Sequence, residues 1–114
     1  MELTTRMSDS AAMAAAMQRM WTQFRPQVDE RVEVLEAASV ALAAGTLTEE
    51  HCQAAAIAAH TLAGTLGTFG LNEGTVLART AEPVFSDGLP IDADQSAKVA
   101  EIAAALRAMI ANKV

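Results

Sequence analysis

Tyrosine is absent from this 114-residue sequence, and aromatic side chains make up only 4% of it. No stretch alternates β-branched and polar residues between turn signals, so a β-sheet has little to build from. Cysteine occurs once, at Cys52, which excludes an intramolecular disulfide and a four-thiolate zinc site and suits a reducing compartment. Lys and Arg number 8, scattered, against 14 Asp and Glu, giving a net charge of −6. The dense cationic face that a nucleic acid requires is therefore missing. Nowhere do 18 apolar residues run uninterrupted, and no basic region with an apolar core behind it opens the chain. Neither membrane span nor signal peptide is expected, and the location expected is the cytoplasm. A GxxxxGKS/T loop, a kinase glycine-rich segment and a nucleophile elbow are all lacking, which leaves no nucleotide site and no hydrolase framework to propose.

What is present is alanine, 26 residues of it, in a chain that is 52% hydrophobic. Alanine has the strongest intrinsic helix preference, so the expected fold is all-α, with residues 1–114 forming one domain. Periodicity and punctuation divide it into five helical segments. In the first, about 9–24, Met13, Met17, Met20 and Phe24 recur at spacings of four, three and four, which predicts a buried stripe. A stripe of this kind is more often core than an anchor for a partner helix, the other use to which Trp21, Met17, Met20 and Phe24 could be put. Pro26 removes a backbone donor and disfavours helical geometry at Arg25, predicting a break or sharp kink.

The second segment carries Val28, Val32, Leu35, Ser39 and Leu42 on one face and ends at Gly45. Thr48 is a good N-cap for the third, with Glu49 and Glu50 in its first turn, and that helix runs to about Phe69. The fourth places Leu77, Ala81, Val84 and Phe85 at helical spacing, with Pro83 as an irregularity. Asp92 and Gln95 form a capping-box pattern that opens the fifth, whose buried face is Val99, Ile102, Ala103, Leu106, Met109 and Ile110. With connections this short, the last four segments should form an antiparallel up-down-up-down four-helix bundle, about 26–112. The N-terminal helix is then additional, lying across one end or extending its neighbour.

One stretch carries plausible chemistry, Ala59 to Gly70, AHTLAGTLGTFG. At 100° per residue, Gln53, Ala56, Ile57, Gly64 and Gly67 all fall within about 60° of His60, while Ala55, Leu62, Leu66 and Phe69 face the other way. His60 should point to solvent. Gly64 and Gly67 each weaken a helix by roughly 1 kcal/mol against Ala, so they serve something other than helix propensity. By removing bulk beside the imidazole they let another surface, or a phosphoryl group, come close. Imidazole titrates near neutrality and so offers a neutral nucleophilic nitrogen at cellular pH. His51 lies about 180° round the same helix from His60, so the two cannot share an ion, and no metal site is expected. Cys52, beside the core face, is expected to be a small buried hydrophobe.

His60-Thr61-Leu62-Ala63-Gly64, followed by Leu66-Gly67-Thr68-Phe69-Gly70, resembles the signature of histidine phosphotransfer (Hpt) domains. Glu73-Gly74, Leu77-Ala78-Arg79 and Glu82 are similar to the segment that follows that motif in a subset of bacterial members. The resemblance covers about residues 55–82 in detail. It implies a phosphorelay intermediate of a two-component system, a phosphoprotein whose exposed His60 accepts a phosphoryl group from a receiver-domain aspartate and passes it to another receiver. It implies no cofactor on this chain, with Mg²⁺ expected on the partner receiver. The implied partners are response-regulator receiver domains and a hybrid sensor kinase, meeting a monomer. Many members carry lysine where this chain has Ala63, so no phosphate ligand besides His60 is assigned on this helix. Around His60 the docking residues expected are Gln53, Ala56, Ile57, Gly64 and Gly67, with Arg79 on the next helix, unless Arg79 only pairs with Glu82 at i+3. The alternative is an interaction module that docks receiver or kinase domains without carrying phosphate, a reading that Ala63 favours.

Overall fold

The computed structural model describes the backbone of residues 2–113 and the side chains of residues 9–113. The described residues form four helices and no strand: α1 (Glu2–Ala44), α2 (Glu49–Thr68), α3 (Asn72–Ser86) and α4 (Ala93–Asn112). Local chemistry sets most of their ends. At Gly45, φ is +71°, the left-handed conformation that glycine adopts without strain. There the amide of Gly45 donates to Leu42 O and that of Thr46 to Ala41 O, satisfying the last carbonyls of α1. The Thr48 hydroxyl accepts from the His51 amide at 3.1 Å and caps α2. Gly70, at φ +76°, closes that helix in the same way as Gly45 closes α1. Asp92 and Gln95 make both bonds of a capping box at the start of α4.

Each helix gives one face to a single core. Val28, Val32 and Leu35 of α1 meet Cys52, Ala55, Leu62 and Leu66 of α2, Ala78, Ala81 and Phe85 of α3, and Val99, Ile102, Leu106 and Ile110 of α4. The most extensive pairing joins α2 to α3, through small residues. A Cβ on Gly74 would stand 2.8 Å from Leu66 Cδ1 and 3.0 Å from Met109 Sδ, so the missing side chain sets how closely three helices approach. Arg107 fastens α4 to α1, its Nη1 2.9 Å from Asp29 Oδ1 and its Nη2 2.9 Å from Glu36 Oε1. The hydrogen bond to Glu36, foremost, raises the pKa of this guanidinium, which keeps its charge. No helix among the described residues is long and apolar enough to cross a membrane.

Three expectations are corrected. Among the described residues there is no separate N-terminal helix: α1 continues through Pro26 without ending, so that segment extends its neighbour and does not lie across the end of the bundle. A proline inside a helix costs about 3 kcal/mol, but Trp21 and Val28 on either side of it are both buried and hold both halves against the bundle. Pro26 itself is exposed, on the side where a carbonyl without its amide partner meets water. Likewise α3 continues through Pro83 to Ser86.

The expected buried stripe is the second correction. Met13, Met20 and Phe24 are 67%, 40% and 38% exposed, and Trp21 is the first described residue of α1 to be fully buried. At 1.5 Å per residue α1 is about 64 Å long, against about 30 Å for α2 or α4, so its first third extends past the others. The molecule measures 63 × 20 × 20 Å. The third correction is minor: Ala38 is buried, whereas Ser39 and Leu42 are half-buried.

Two stability predictions follow from these contacts. Gly74→Val should cost about 1–3 kcal/mol in chemical denaturation by overpacking Leu66 and Met109. Gly64→Ala, where a Cβ meets nothing within 4 Å, should instead add about 0.5–1 kcal/mol. The Cys52 thiol is buried and lies 3.1 Å from Phe85 O, and burial, aided by the Glu49 charge, pushes its pKa up. Native protein at pH 8 should therefore resist iodoacetamide, and mass spectrometry should find Cys52 labelled only after unfolding.

Candidate functional site

The Ala59, Leu62, Ala63 and Leu66 side chains fill the inner face of α2, which turns His60, Gly64 and Gly67 outward. The His60 side chain is 76% exposed. Its Nδ1 lies 2.7 Å from Glu82 Oε1 on α3, and the Glu82 side chain is 31% exposed. Two cross-helix hydrogen bonds bracket this pair. On one side the Cys52 thiol donates to Phe85 O, and on the other the Thr75 hydroxyl donates to Ala63 O at 2.8 Å. The register of α3 on α2 is thereby fixed at both ends, and Glu82 comes level with His60.

An ionised carboxylate can only accept a hydrogen bond, so the contact requires the proton on Nδ1. In the neutral ring the lone pair then belongs to Nε2, which makes no hydrogen bond to a described residue. The site therefore holds an imidazole in one tautomer, ties down its inner nitrogen and presents its outer nitrogen to solvent.

Of the other residues singled out from the sequence, Gln53, Ile57, Gly64 and Gly67 are exposed on the same side of α2 as His60, and Ala56 is half-buried. Ile57 is 68% exposed, an apolar side chain one turn from the imidazole. The two glycines differ. Around Gly64 there is open space, whereas a Cβ on Gly67 would lie 3.1 Å from Thr75 Oγ1, so Gly67 also serves the close approach of α3. Arg79 is exposed and stands four residues after Thr75 and three before Glu82, which puts it on the edge of α3 that meets α2. It makes no ion pair to Glu82 among the described residues; that carboxylate pairs with His60 instead. Ala63 is buried against α3, with its carbonyl taken by Thr75.

Glu82 is the residue of the candidate site whose contact the sequence does not reveal. Its partner lies 22 positions away, and only the packing of two helices reveals it. On the far side of α2, His51 edges an apolar cleft of about 230 Å³ shared with Val34, Ala37, Leu47 and Ala54. The two histidines do not converge.

The described residues form a helical bundle in which His60, on the outward face of α2, is oriented by a carboxylate from the neighbouring helix and flanked by glycine. The Hpt domain family model matches residues 19–112. This chain is an Hpt domain, and it has a phosphotransfer role in two-component systems, in which such domains interact with receiver domains and kinases. Comparison with curated proteins and with solved structures gave no match.

The tautomer is open to direct measurement. At a pH where His60 is neutral, ¹⁵N–¹H correlation spectra should show Nδ1 protonated in the wild type. In Glu82→Ala the proton should shift towards Nε2, the form that free imidazole side chains favour.

Proposed function

We propose that His60 is the phospho-acceptor of a phosphorelay, taking a phosphoryl group from a receiver-domain aspartate and passing it to the aspartate of another receiver. The observation that carries this reading is the Nδ1 contact to Glu82, which leaves Nε2 both nucleophilic and unobstructed. Its lone pair attacks phosphorus opposite the bond to the aspartyl oxygen. That P–O bond breaks as the N–P bond forms, and the aspartate departs as a carboxylate. The ring becomes cationic as it is phosphorylated, and Glu82 accepts the Nδ1–H of that cation, a charge-assisted hydrogen bond that strengthens along the reaction. The return step reverses these bonds, with the second aspartate attacking phosphorus and His60 leaving as a neutral imidazole.

Such a receiver supplies Mg²⁺ and the charge stabilisation of the phosphoryl oxygens. This chain supplies the nucleophile and the surface for docking. Gln53, Ala56, Ile57, Gly64 and Gly67 form that surface on α2, with Ile57 as its apolar contact and Gly64 as its point of close approach. Arg79, at the edge of α3 towards α2, is the cation best placed to meet the phosphoryl oxygens or an acidic patch of the receiver. The helices run up-down-up-down in this reading, consistent with His60 opposite Glu82, Trp21 against Phe69, and Asp29 and Glu36 against Arg107. The relay operates in the cytoplasm, where receivers and the catalytic parts of sensor kinases reside.

Transfer from a Mg²⁺-loaded, phosphorylated receiver should give an acid-labile label on the wild type and none on His60→Gln. Gly64→Glu should fold and yet lose transfer, because a bulky anion would stand where the receiver must approach. Binding of the phosphorylated receiver without any label on His60 would support the interaction module instead.

A further inference from the structure

The return step asks more of His60 than the forward one. When the N–P bond breaks, its electron pair stays on Nε2. If Nδ1 keeps its proton, the departing group is a neutral imidazole; if Nδ1 has lost it, the departing group is an imidazolide anion, too basic to leave readily. A phosphoryl group on a deprotonated ring is stored, whereas one on a protonated ring can be passed on. An imidazole of ordinary basicity titrates at about 6.5, so at cellular pH most such rings lack the second proton.

We propose that Glu82 is a positioning residue for this outward step, holding the proton on Nδ1 of the phosphorylated ring and so making His60 a readily discharged, short-lived carrier. This role rests on the reading of His60 as phospho-acceptor and adds what sets the lifetime of the phosphorylated state.

Three features of the site point there. First, Glu82 Oε1 lies 2.7 Å from Nδ1, the length of a charge-assisted hydrogen bond once the ring is cationic. Carboxylates bind a proton about two units more weakly than imidazoles, so the shared proton stays on the ring. Second, the carboxylate is in place beforehand. Its side chain is 31% exposed, and the Cys52 and Thr75 hydrogen bonds on either side hold α3 in register. Third, few other charges face the ring. Its neighbours on α2, Gln53, Ala56, Ile57, Gly64 and Gly67, carry no titratable group. From α3 comes Arg79, an exposed cation that opposes ring protonation from a solvated side chain. The charged Glu30 and Arg31 of α1 belong to the opposite side of α2, and α4 packs on α1 and α3.

With the His60 side chain 76% exposed, water limits the effect in the free domain. A docked receiver displaces that water and strengthens the attraction between ring and carboxylate. The proton is therefore held most firmly in the complex, where the phosphoryl group is to be passed on.

The test uses the full chain with His51→Gln, which leaves His60 as its one histidine. Phosphoramidate, a small-molecule donor, supplies the phosphoryl group, so the result does not depend on a receiver. In ³¹P NMR between about pH 5 and 9, the phosphohistidine of this protein should bind the Nδ1 proton about three- to tenfold more tightly than that of the same chain with Glu82→Gln. At about pH 8 the Glu82→Gln protein should keep its phosphoryl group about three- to tenfold longer against hydrolysis, and pass it to a Mg²⁺-loaded receiver more slowly by a similar factor. At about pH 5.5, where both rings are protonated, the two hydrolysis rates should agree. A damaged fold or docking surface would slow transfer without lengthening the lifetime. Equal titration midpoints overturn the proposal, as does a Glu82→Gln protein that hydrolyses as fast as its parent at the higher pH. The expected midpoint difference without any exchange with a receiver supports the proton-holding role and counts against the relay.

Discussion

Everything at the site depends on how closely α3 lies on α2. Gly74 beneath Leu66, Gly67 beside Thr75, and the small residues Ala59, Ala63, Ala78 and Ala81 let the two backbones approach. The Thr75 and Cys52 hydrogen bonds to carbonyls of the opposing helix then fix their sliding position. A shift of one residue, about 1.5 Å along the axis and 100° around it, would carry Glu82 out of reach of Nδ1. The tautomer of His60 is thus a consequence of core packing. That packing is made from residues that contribute little apolar area and much proximity.

The second constraint is the clamp between α1 and α4. Arg107 holds two carboxylates a pair of turns apart on α1, which fixes the long helix against the bundle. Together with the burial of Trp21 and Val28, this explains why α1 passes through Pro26. Tertiary contacts on both sides of a breaker outweigh the one hydrogen bond and the steric strain that it costs. The domain therefore separates its tasks. One face of the bundle presents His60, while the first turns of α1 extend past the other helices.

Much of this was legible in the sequence, for reasons that differ by element. The caps at Thr48, Gly45 and Asp92 were legible because their chemistry is local. The outward turn of His60 and the inward turn of Leu62 and Leu66 were legible because the helical period alone decides faces. Periodicity does not say how far a face is covered: of the methionine stripe, Met17 is half-buried against the core and Phe24 meets Phe69, while Met13 and Met20 are exposed. Local rules also overstated Pro26, since they weigh one hydrogen bond and not the packing on either side. Glu82 was visible as a residue and invisible as a partner, and the i+3 rule offered Arg79 in its place. Contacts across 22 positions are set by register, which no single segment contains.

In the proposed relay Glu82 occupies Nδ1 of His60, which assigns the phosphoryl group to Nε2. The most direct measurement is ³¹P and ¹⁵N NMR of the ¹⁵N-histidine-labelled domain after phosphorylation by a receiver, which distinguishes the two phosphohistidine isomers by their couplings. The account predicts phosphorus coupled to Nε2 of His60, with the Nδ1 proton retained. Phosphorus on Nδ1, or on any residue other than His60, would contradict it.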